Sequence, residues 1–322
     1  WTGNGSDPRT ITNAAGFKPD LVWSKLRSGT ASNNLYDSVR GTGKVLYSDL
    51  TSAEDTNNPY GYLTSFNSNG FSATAGSTSN AYFNANGSTY VGWQWQAGQG
   101  TTSSNTNGSI TSTVSVNPTA GFSVVTFTAQ NSGTGTVGHG LGVAPSVIIC
   151  KQRYYPGSWS SYFSELGNTK YINLESTAAA QTNANAWNST SPTSSVFTLG
   201  SYWQGGGTMV AYCWAEIAGF SKFGYYTGNG STDGPFVYTG FRPKFIMIKD
   251  ANNSFGPWVM YDTSRAPYNA MVNTLRANTS GAEDTYSASD GYNIDALSNG
   301  FKLYSTWNGI NNSGDTTIYA AF

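Results

Sequence analysis

The hydrophobic positions of this chain fall in short blocks separated by polar, glycine-rich stretches, and one block occurs three times. Its copies are Gly16-Phe17-Lys18-Pro19-Asp20-Leu21-Val22-Trp23-Ser24-Lys25, Gly142-Val143-Ala144-Pro145-Ser146-Val147-Ile148-Ile149-Cys150-Lys151 and Gly240-Phe241-Arg242-Pro243-Lys244-Phe245-Ile246-Met247-Ile248-Lys249. In each, a lysine stands six residues after a proline, across a run rich in apolar and β-branched side chains. Proline fixes φ and cannot donate to a sheet ladder, so it suits the first residue of a strand. The apolar run behind it predicts a strand covered on both faces. The lysine marks where that strand returns to water. Three copies at one spacing define an internal repeat, and a repeat sets the architecture.

The remaining chain aligns around these blocks. The first repeat, residues 1–98, opens on a Gly/Asn turn at Trp1-Thr2-Gly3-Asn4-Gly5-Ser6 and closes with Tyr90-Val91-Gly92-Trp93-Gln94-Trp95. Residues 99–108 are rich in Gly, Ser, Thr and Asn and predict a linker. The second repeat, 109–219, starts with Ile110, Ser112, Val114 and Val116 at alternate positions, the mark of a half-buried strand, and closes with Val210-Ala211-Tyr212-Cys213-Trp214. The third, 220–322, mirrors the first: Tyr226 to Ser231 match Trp1 to Ser6, Tyr261 to Arg265 match Tyr36 to Arg40, and Ala282 to Thr285 match Ala53 to Thr56. No helical periodicity is sustained. The expected fold is all-β, with three tandem β-sandwich domains of jelly-roll or lectin-like kind. Ala-Gly-Phe opens the second and third repeats but not the first, and the third stops at the counterpart of Trp95 and Trp214. The chain is therefore expected to be a piece of a longer polypeptide, with its third repeat truncated at the C-terminal end.

Composition sharpens this picture. The 322 residues are 10% charged and 15% aromatic, with 38 Gly and a formal net charge of −1. Solubility must come from Ser, Thr, Asn and Gly, which also suits short strands joined by many turns. No Lys/Arg cluster suggests a nucleic-acid surface. No apolar stretch is long enough for a helical membrane span. Cys150 and Cys213 are too few for a disulfide framework, and buried free thiols are the expected state.

Candidate chemistry is thin. His139 is the only histidine, lies between glycines, and reads as a turn residue rather than a catalytic base. The recurrent acidic pair, Glu54-Asp55 and Glu283-Asp284, reads as a turn or cap rather than as a glycosidase pair or a hard-cation site. No catalytic residue, metal or cofactor is expected. Trp23, Trp93, Trp95, Tyr212 and Trp214 occupy repeated strand positions and are assigned to cores. Tyr154, Tyr155, Trp159, Tyr162, Trp203, Trp258 and Trp307 lie among Gly, Pro, Ser and Asn. Packing under loops is one reading of them; the other is an exposed set that stacks on sugar rings or anchors an interface.

The run Gly138-His139-Gly140-Leu141-Gly142-Val143-Ala144-Pro145 with its strand and Lys151, the segment Ile110 to Phe122, Tyr36 to Gly41, Ser68-Asn69-Gly70-Phe71 and the ending Val210 to Glu216 together carry a likeness. The chain resembles a domain found repeatedly in tail and appendage proteins of tailed bacteriophages, notably those of marine bacteria. The resemblance covers essentially the whole chain, three times over. It implies a structural protein on the virion surface, hence extracellular: a tail fibre or related appendage, without enzymatic activity. Its mechanism would be reversible, multivalent adhesion or receptor binding. Expected partners are a host cell-surface glycan or protein and other virion proteins, with a homotrimer by analogy with phage fibres. The alternatives are a purely architectural capsid or tail decoration and a polysaccharide depolymerase.

Overall fold

A computed structural model describes residues 1–203, 205–285 and 292–322. The chain is nearly all β, with 42% strand and 3% helix. Among the described residues the strands form six antiparallel sheets, three large and three small. In the interior of each large sheet lies one of the proline-launched strands: Leu21–Leu26, Val147–Gln152 and Phe245–Asp250. Each pairs on one side with a closing strand, Tyr90–Trp95, Thr208–Trp214 or Thr316–Ala321. On the other side lie Asn34–Asp37, Trp159–Phe163 and Val259–Asp262. The small sheets, Arg9–Thr12 with Gly70–Thr74 and Tyr62–Asn67, Gly135–Gly138 with Val196–Leu199, and Phe236–Tyr238 with Gly300–Tyr304 and Asn293–Leu297, back the large ones.

Period-two alternation explains why the launched strands are apolar throughout. Leu21 and Trp23, Val147 and Ile149, and Phe245 and Met247 all enter one core shared by the three large sheets. The intervening Val22, Ile148 and Cys150, and Ile246 and Ile248 enter three separate outer cores, each closed by a small sheet. Each fully buried large side chain contributes about 1.5–3 kcal/mol. The shared core therefore helps hold the three sheets to one another, as each outer core holds a large sheet to its small one.

The sheets close into a ring through equivalent contacts. Lys151 pairs in register with Trp159, whose indole Nε1–H donates to Tyr47 O at 2.7 Å across the seam from the second sheet to the first. Trp258 Nε1–H donates to Asn173 O at 2.9 Å from the third to the second. Asn33, at the same place in the first sheet, reaches Arg276 O and Ala277 O at 3.3 Å in the third. Backbone bonds cross the same seams with donor and acceptor sheets exchanged: Glu54 N to Arg153 O at 2.8 Å, Glu283 N to Arg27 O at 2.8 Å and Ala180 N to Ala251 O at 2.9 Å. Interfaces of this head-to-tail type close when the rotation between units completes a turn.

Two expectations are corrected here. The lysines do not return to water: Lys25, Lys151 and Lys249 are all fully buried, at the rim of the shared core. Lys25 Nζ donates to Ala31 O and, at 2.8 Å, to Ser280 O; Lys151 Nζ donates to Thr51 O at 3.1 Å. From this position Lys25 and Lys151 reach carbonyls of the adjacent sheet, while Lys249 Nζ donates within its own loop. Nor are residues 99–108 a free linker. Ser103–Asn105 pairs with Ser112–Asn117, and the buried Asp20 carboxylate accepts the N–H groups of Ala97, Gln99 and Gly100 at 2.7–2.8 Å.

Candidate functional site

The second sheet carries a cluster of exposed aromatics that borders a groove with polar side chains. The strand Val147–Gln152 ends, and the chain turns through Arg153-Tyr154-Tyr155-Pro156-Gly157 before Trp159–Phe163 returns. Arg153 is tied down by Glu54, and Gly157 N donates to Thr51 O at 2.8 Å, so both ends of this turn are anchored on the first sheet. Tyr154 and Tyr155 project outward, 68% and 56% exposed, with their rings edge-to-face at 4.6 Å.

Opposite them a single 3-10 turn, Ser201–Trp203, presents Tyr202 and Trp203. Trp203 is buried, its Nε1–H donating to Ala186 O at 2.9 Å, and it supports Tyr202 edge-to-face at 5.1 Å. The Tyr202 hydroxyl lies 3.1 Å from Ser160 Oγ. Tyr171 stacks obliquely on Tyr202 at 5.0 Å, and burial together with that neighbour pushes its phenol up to about 12. Between the two aromatic walls runs a groove of about 760 Å³, open to solvent, whose floor includes Gln152 and Ser158. Gly207 is small because the Gln152 amide occupies the place of its side chain: a Cβ there would lie 1.9 Å from Gln152 Nε2. The groove thus offers aromatic faces, an amide and hydroxyls. None of the described residues lining it is a carboxylate, a histidine or a cysteine.

The seven aromatics singled out from the sequence separate sharply. Tyr154 and Tyr155 are surface groups, and Trp203 lines the groove from beneath. Trp159, Tyr162 and Trp258 are not surface residues, which corrects their placement in exposed loops. Trp159 and Trp258 enter the shared core and bridge seams, while Tyr162 packs on Trp187 at 5.7 Å in the second outer core. Trp307 is half-buried against the third outer core, 4.9 Å from the ring of Tyr292. Glycine and serine neighbours suggested loops because the strand ends there are short. Tyr202 escaped the sequence reading; its only signal was adjacency to Trp203 ahead of a glycine run.

The other candidates are structural. Both ring nitrogens of His139 are engaged, Nε2 with Thr193 O at 3.1 Å and Nδ1 accepting Leu141 N–H at 3.2 Å, and burial lowers its pKa. Cys150 and Cys213 are buried, unbridged thiols, both raised by desolvation. Among the described residues no group of three or more His, Cys, Asp or Glu side chains is placed to hold a metal. Glu54 and Glu283 are the centres of two inter-sheet ion clusters.

An all-β chain of repeated sheets with a non-ionic aromatic groove is the class these features define. The chain belongs to the DUF7483 family, a domain of unknown function, whose model matches residues 1–322. No curated protein and no solved structure matches it.

Proposed function

We propose that the chain is a non-catalytic structural and adhesive protein that binds a glycan or glycan-like surface through the Tyr155–Tyr202–Trp203 groove. In this reading three β-sandwich units, at about residues 1–98, 109–219 and 220–322, are closed into a ring around the shared core. The observation that carries the proposal is Tyr155 held exposed on the groove wall by an anchored turn, with the exposed Tyr154 packed edge-to-face on it. Rigid aromatics cost little entropy on binding and stack on the apolar faces of sugars, while Gln152 and Ser158 suit hydroxyls.

The counterparts of Tyr154 and Tyr155 in the other units are Ser28 and Gly29, and Asn252 and Asn253. Each chain then carries one such groove, and multivalency comes from many copies on a particle rather than from repeats along the chain. The setting proposed is the outside of a tailed phage, on the motifs described above. The test is binding of the 322-residue chain to whole host cells beside a Tyr154→Ala/Tyr155→Ala variant. At least a tenfold loss is expected in the variant. Equal binding by both removes the groove from the mechanism, and no binding by either favours a purely architectural role.

A further inference from the structure

Each launched strand ends on the residue after its lysine, and what stands there differs between the sheets. In the first it is Leu26, in the second Gln152 and in the third Asp250. The lysines lie in register with Val91, Val210 and Ile318 of the closing strands. The turns leading into those strands place Ser88, Gly207 and Asp315 at equivalent positions. In the second sheet the two places share one space, since a Cβ on Gly207 would lie 1.9 Å from Gln152 Nε2. The same juxtaposition in the third sheet brings together two carboxyl groups, Asp250 and Asp315, within hydrogen-bonding reach of each other. The fold does not require acid here, because the other two sheets form with neutral side chains at both places.

Asp250 is fully buried. Its Oδ1 accepts the Asn252 N–H at 2.8 Å, whereas its Oδ2 is a buried oxygen with no hydrogen-bond partner. Two more buried oxygens on these segments are unpartnered, Asn253 Oδ1 and Thr317 Oγ1. Phe245 and Phe322 exchange both of their backbone bonds, and alternation along the ladder makes Asp250 and Thr317 a non-hydrogen-bonded pair, whose side chains approach most closely. Asn253 Nδ2 donates to Asp315 Oδ2, as does Asn312 Nδ2 at 2.5 Å, so both amides border the second carboxylate. Lys249 is the cation that acts on Asp250, yet its Nζ is turned to backbone oxygens, Asp250 O at 2.6 Å and Asn253 O at 3.5 Å. Among the described residues neither carboxylate takes part in a salt bridge. Burial and the Asp315 carboxylate push the Asp250 acid up.

We propose that Asp250, Asp315, Asn253 and Thr317 form a binding site for a hard divalent cation of the size of Ca²⁺, held by the two carboxylates with amide and hydroxyl oxygens and water completing its shell. Such an ion takes oxygen donors from several segments at about 2.3–2.6 Å, and two carboxylates suit the weak end of its affinity range, about 10⁻⁴–10⁻³ M. A doubly charged ion between the carboxylates removes their repulsion and engages the unpartnered Asp250 Oδ2. Asn253 meets the ion with its Oδ1 and keeps its Nδ2 on Asp315, so this amide does not have to rotate. In the second sheet the Gln152 amide fills the place beside Gly207; in the third the ion does so, and joins the end of the launched strand to the start of the closing strand. The site belongs to a different sheet from the Tyr155–Tyr202–Trp203 groove and stands independently of the function proposed there.

The test titrates CaCl₂ into the chelator-stripped 322-residue chain, with binding heat and melting temperature as readouts. Saturable binding of one Ca²⁺ per chain is expected, with a rise in melting temperature of about 3 °C at millimolar CaCl₂. MgCl₂, whose ion demands a smaller and stricter octahedron, should bind at least tenfold more weakly. Asp315→Asn and Asp250→Asn should each weaken Ca²⁺ binding at least tenfold. Without Ca²⁺ both variants should melt no lower than the parent, because each removes a like-charge contact, and this separates loss of the ion from loss of the fold. Glu165→Gln, an exposed change in the second sheet's region, should bind Ca²⁺ as the parent does. The proposal is overturned if millimolar CaCl₂ gives the parent neither heat nor a melting shift, if Asp315→Asn binds Ca²⁺ as tightly as the parent, or if MgCl₂ matches CaCl₂.

Discussion

The seams on either side of the first sheet are built from one set of charges, and the seam between the third and second sheets has none of them. Where the second sheet meets the first, Arg153 grips Glu54 with two bonds of 2.9 Å, Glu54 also accepts from Arg40 at 3.0 Å, Arg40 binds Asp37, and Tyr212 donates to Asp37 at 2.8 Å. Where the first meets the third, Arg27 grips Glu283 at 3.0 and 2.7 Å, Glu283 accepts from Arg265 at 2.8 Å, and Arg265 binds Asp262 at 2.6 Å. Trp93 there donates to Asp262 at 3.0 Å. At the remaining seam, register places Phe163, Leu166, Ala180 and Ala251 at the corresponding positions, and Ala320 in place of the donor. All five belong to, or pack against, the shared core.

The backbone bond and the indole bridge persist at this third seam, so those contacts set the geometry and the side chains fill it. A buried ion network and a well-packed apolar set are often interchangeable in stability, because desolvation of the charges offsets their attraction. They are not interchangeable residue by residue. Removing one member leaves buried charge under-compensated, and that sets the largest expected effect. Glu54→Ala takes one of two carboxylates from Arg40, whose side chain is fully buried, and leaves it Asp37. It should cost about 3–5 kcal/mol, read as a fall in urea midpoint. Glu283→Ala should behave alike, since Arg265 is nearly as buried. A loss under about 1 kcal/mol in both would show that the networks contribute little.

Acid offers a milder version of the same break. Burial alone would raise the Glu54 and Glu283 carboxyls, but Arg153 with Arg40, and Arg27 with Arg265, outweigh it and hold both below the usual glutamate value. A depressed carboxyl contributes stability above its unfolded pKa and loses it as pH falls through the folded one. Exchange at pH 3 should therefore loosen the amides of Glu54 and Glu283 while that of Ala180 stays protected. Loosening of all three together would place the acid-sensitive element elsewhere.

Replacing a whole set should matter less than removing one member. A variant with Asp37→Phe, Arg40→Leu, Glu54→Ala, Arg153→Ala and Tyr212→Phe transplants the apolar seam and also removes the hydroxyl that would be orphaned. Its stability should lie within about 2 kcal/mol of the parent, against the larger loss from Glu54→Ala alone. A transplant less stable than the single variant would mean that the two kinds of seam are not equivalent.

These seams mark the limit of what the sequence disclosed. The launched strands, the closing strands and the absence of long helices were legible because strand periodicity and turn residues are local signals. The pairing of Glu54 with Arg153 was not, because 99 residues separate them and nothing local distinguishes an inter-sheet carboxylate from a cap. The repeat itself held the clue: Glu54-Asp55 recurs at Glu283-Asp284 only where Arg40 recurs at Arg265, and all are absent from the second repeat together. The groove was half legible. Tyr154 and Tyr155 stand in a Gly/Pro turn, whereas Trp159, one turn further on, reads alike in sequence and is buried because it begins a strand.

The lysines give the smallest and most discriminating test. Desolvation lowers Lys25, Lys151 and Lys249 to about 8, with Asp49, Glu175 and Asp250 respectively opposing the shift. In the unfolded chain a lysine titrates at about 10.4. Between pH 8 and 10 the unfolded state therefore binds more protons, and stability rises with pH, by up to about 1 kcal/mol per unit for each lysine. Above about pH 10 the sign reverses. Buried Tyr36 and Tyr47 are raised by desolvation and keep their protons in the fold while unfolded tyrosines release theirs. Urea midpoints should thus climb from pH 8 to a maximum near pH 10. The comparison between seams enters through Lys249. Its Nζ donates within its own loop, to Asp250 O at 2.6 Å and Asn253 O at 3.5 Å, whereas Lys25 and Lys151 reach carbonyls of a neighbouring sheet. Lys249→Met should therefore change stability at pH 7 by less than about 1 kcal/mol and flatten the alkaline climb by about a third. Lys25→Met should flatten it equally but cost more at pH 7, because Ser280 O loses its cross-seam donor. Equal costs for the two variants would show that the seam-crossing bond contributes nothing, and an unchanged climb in both would remove the lysines as its cause.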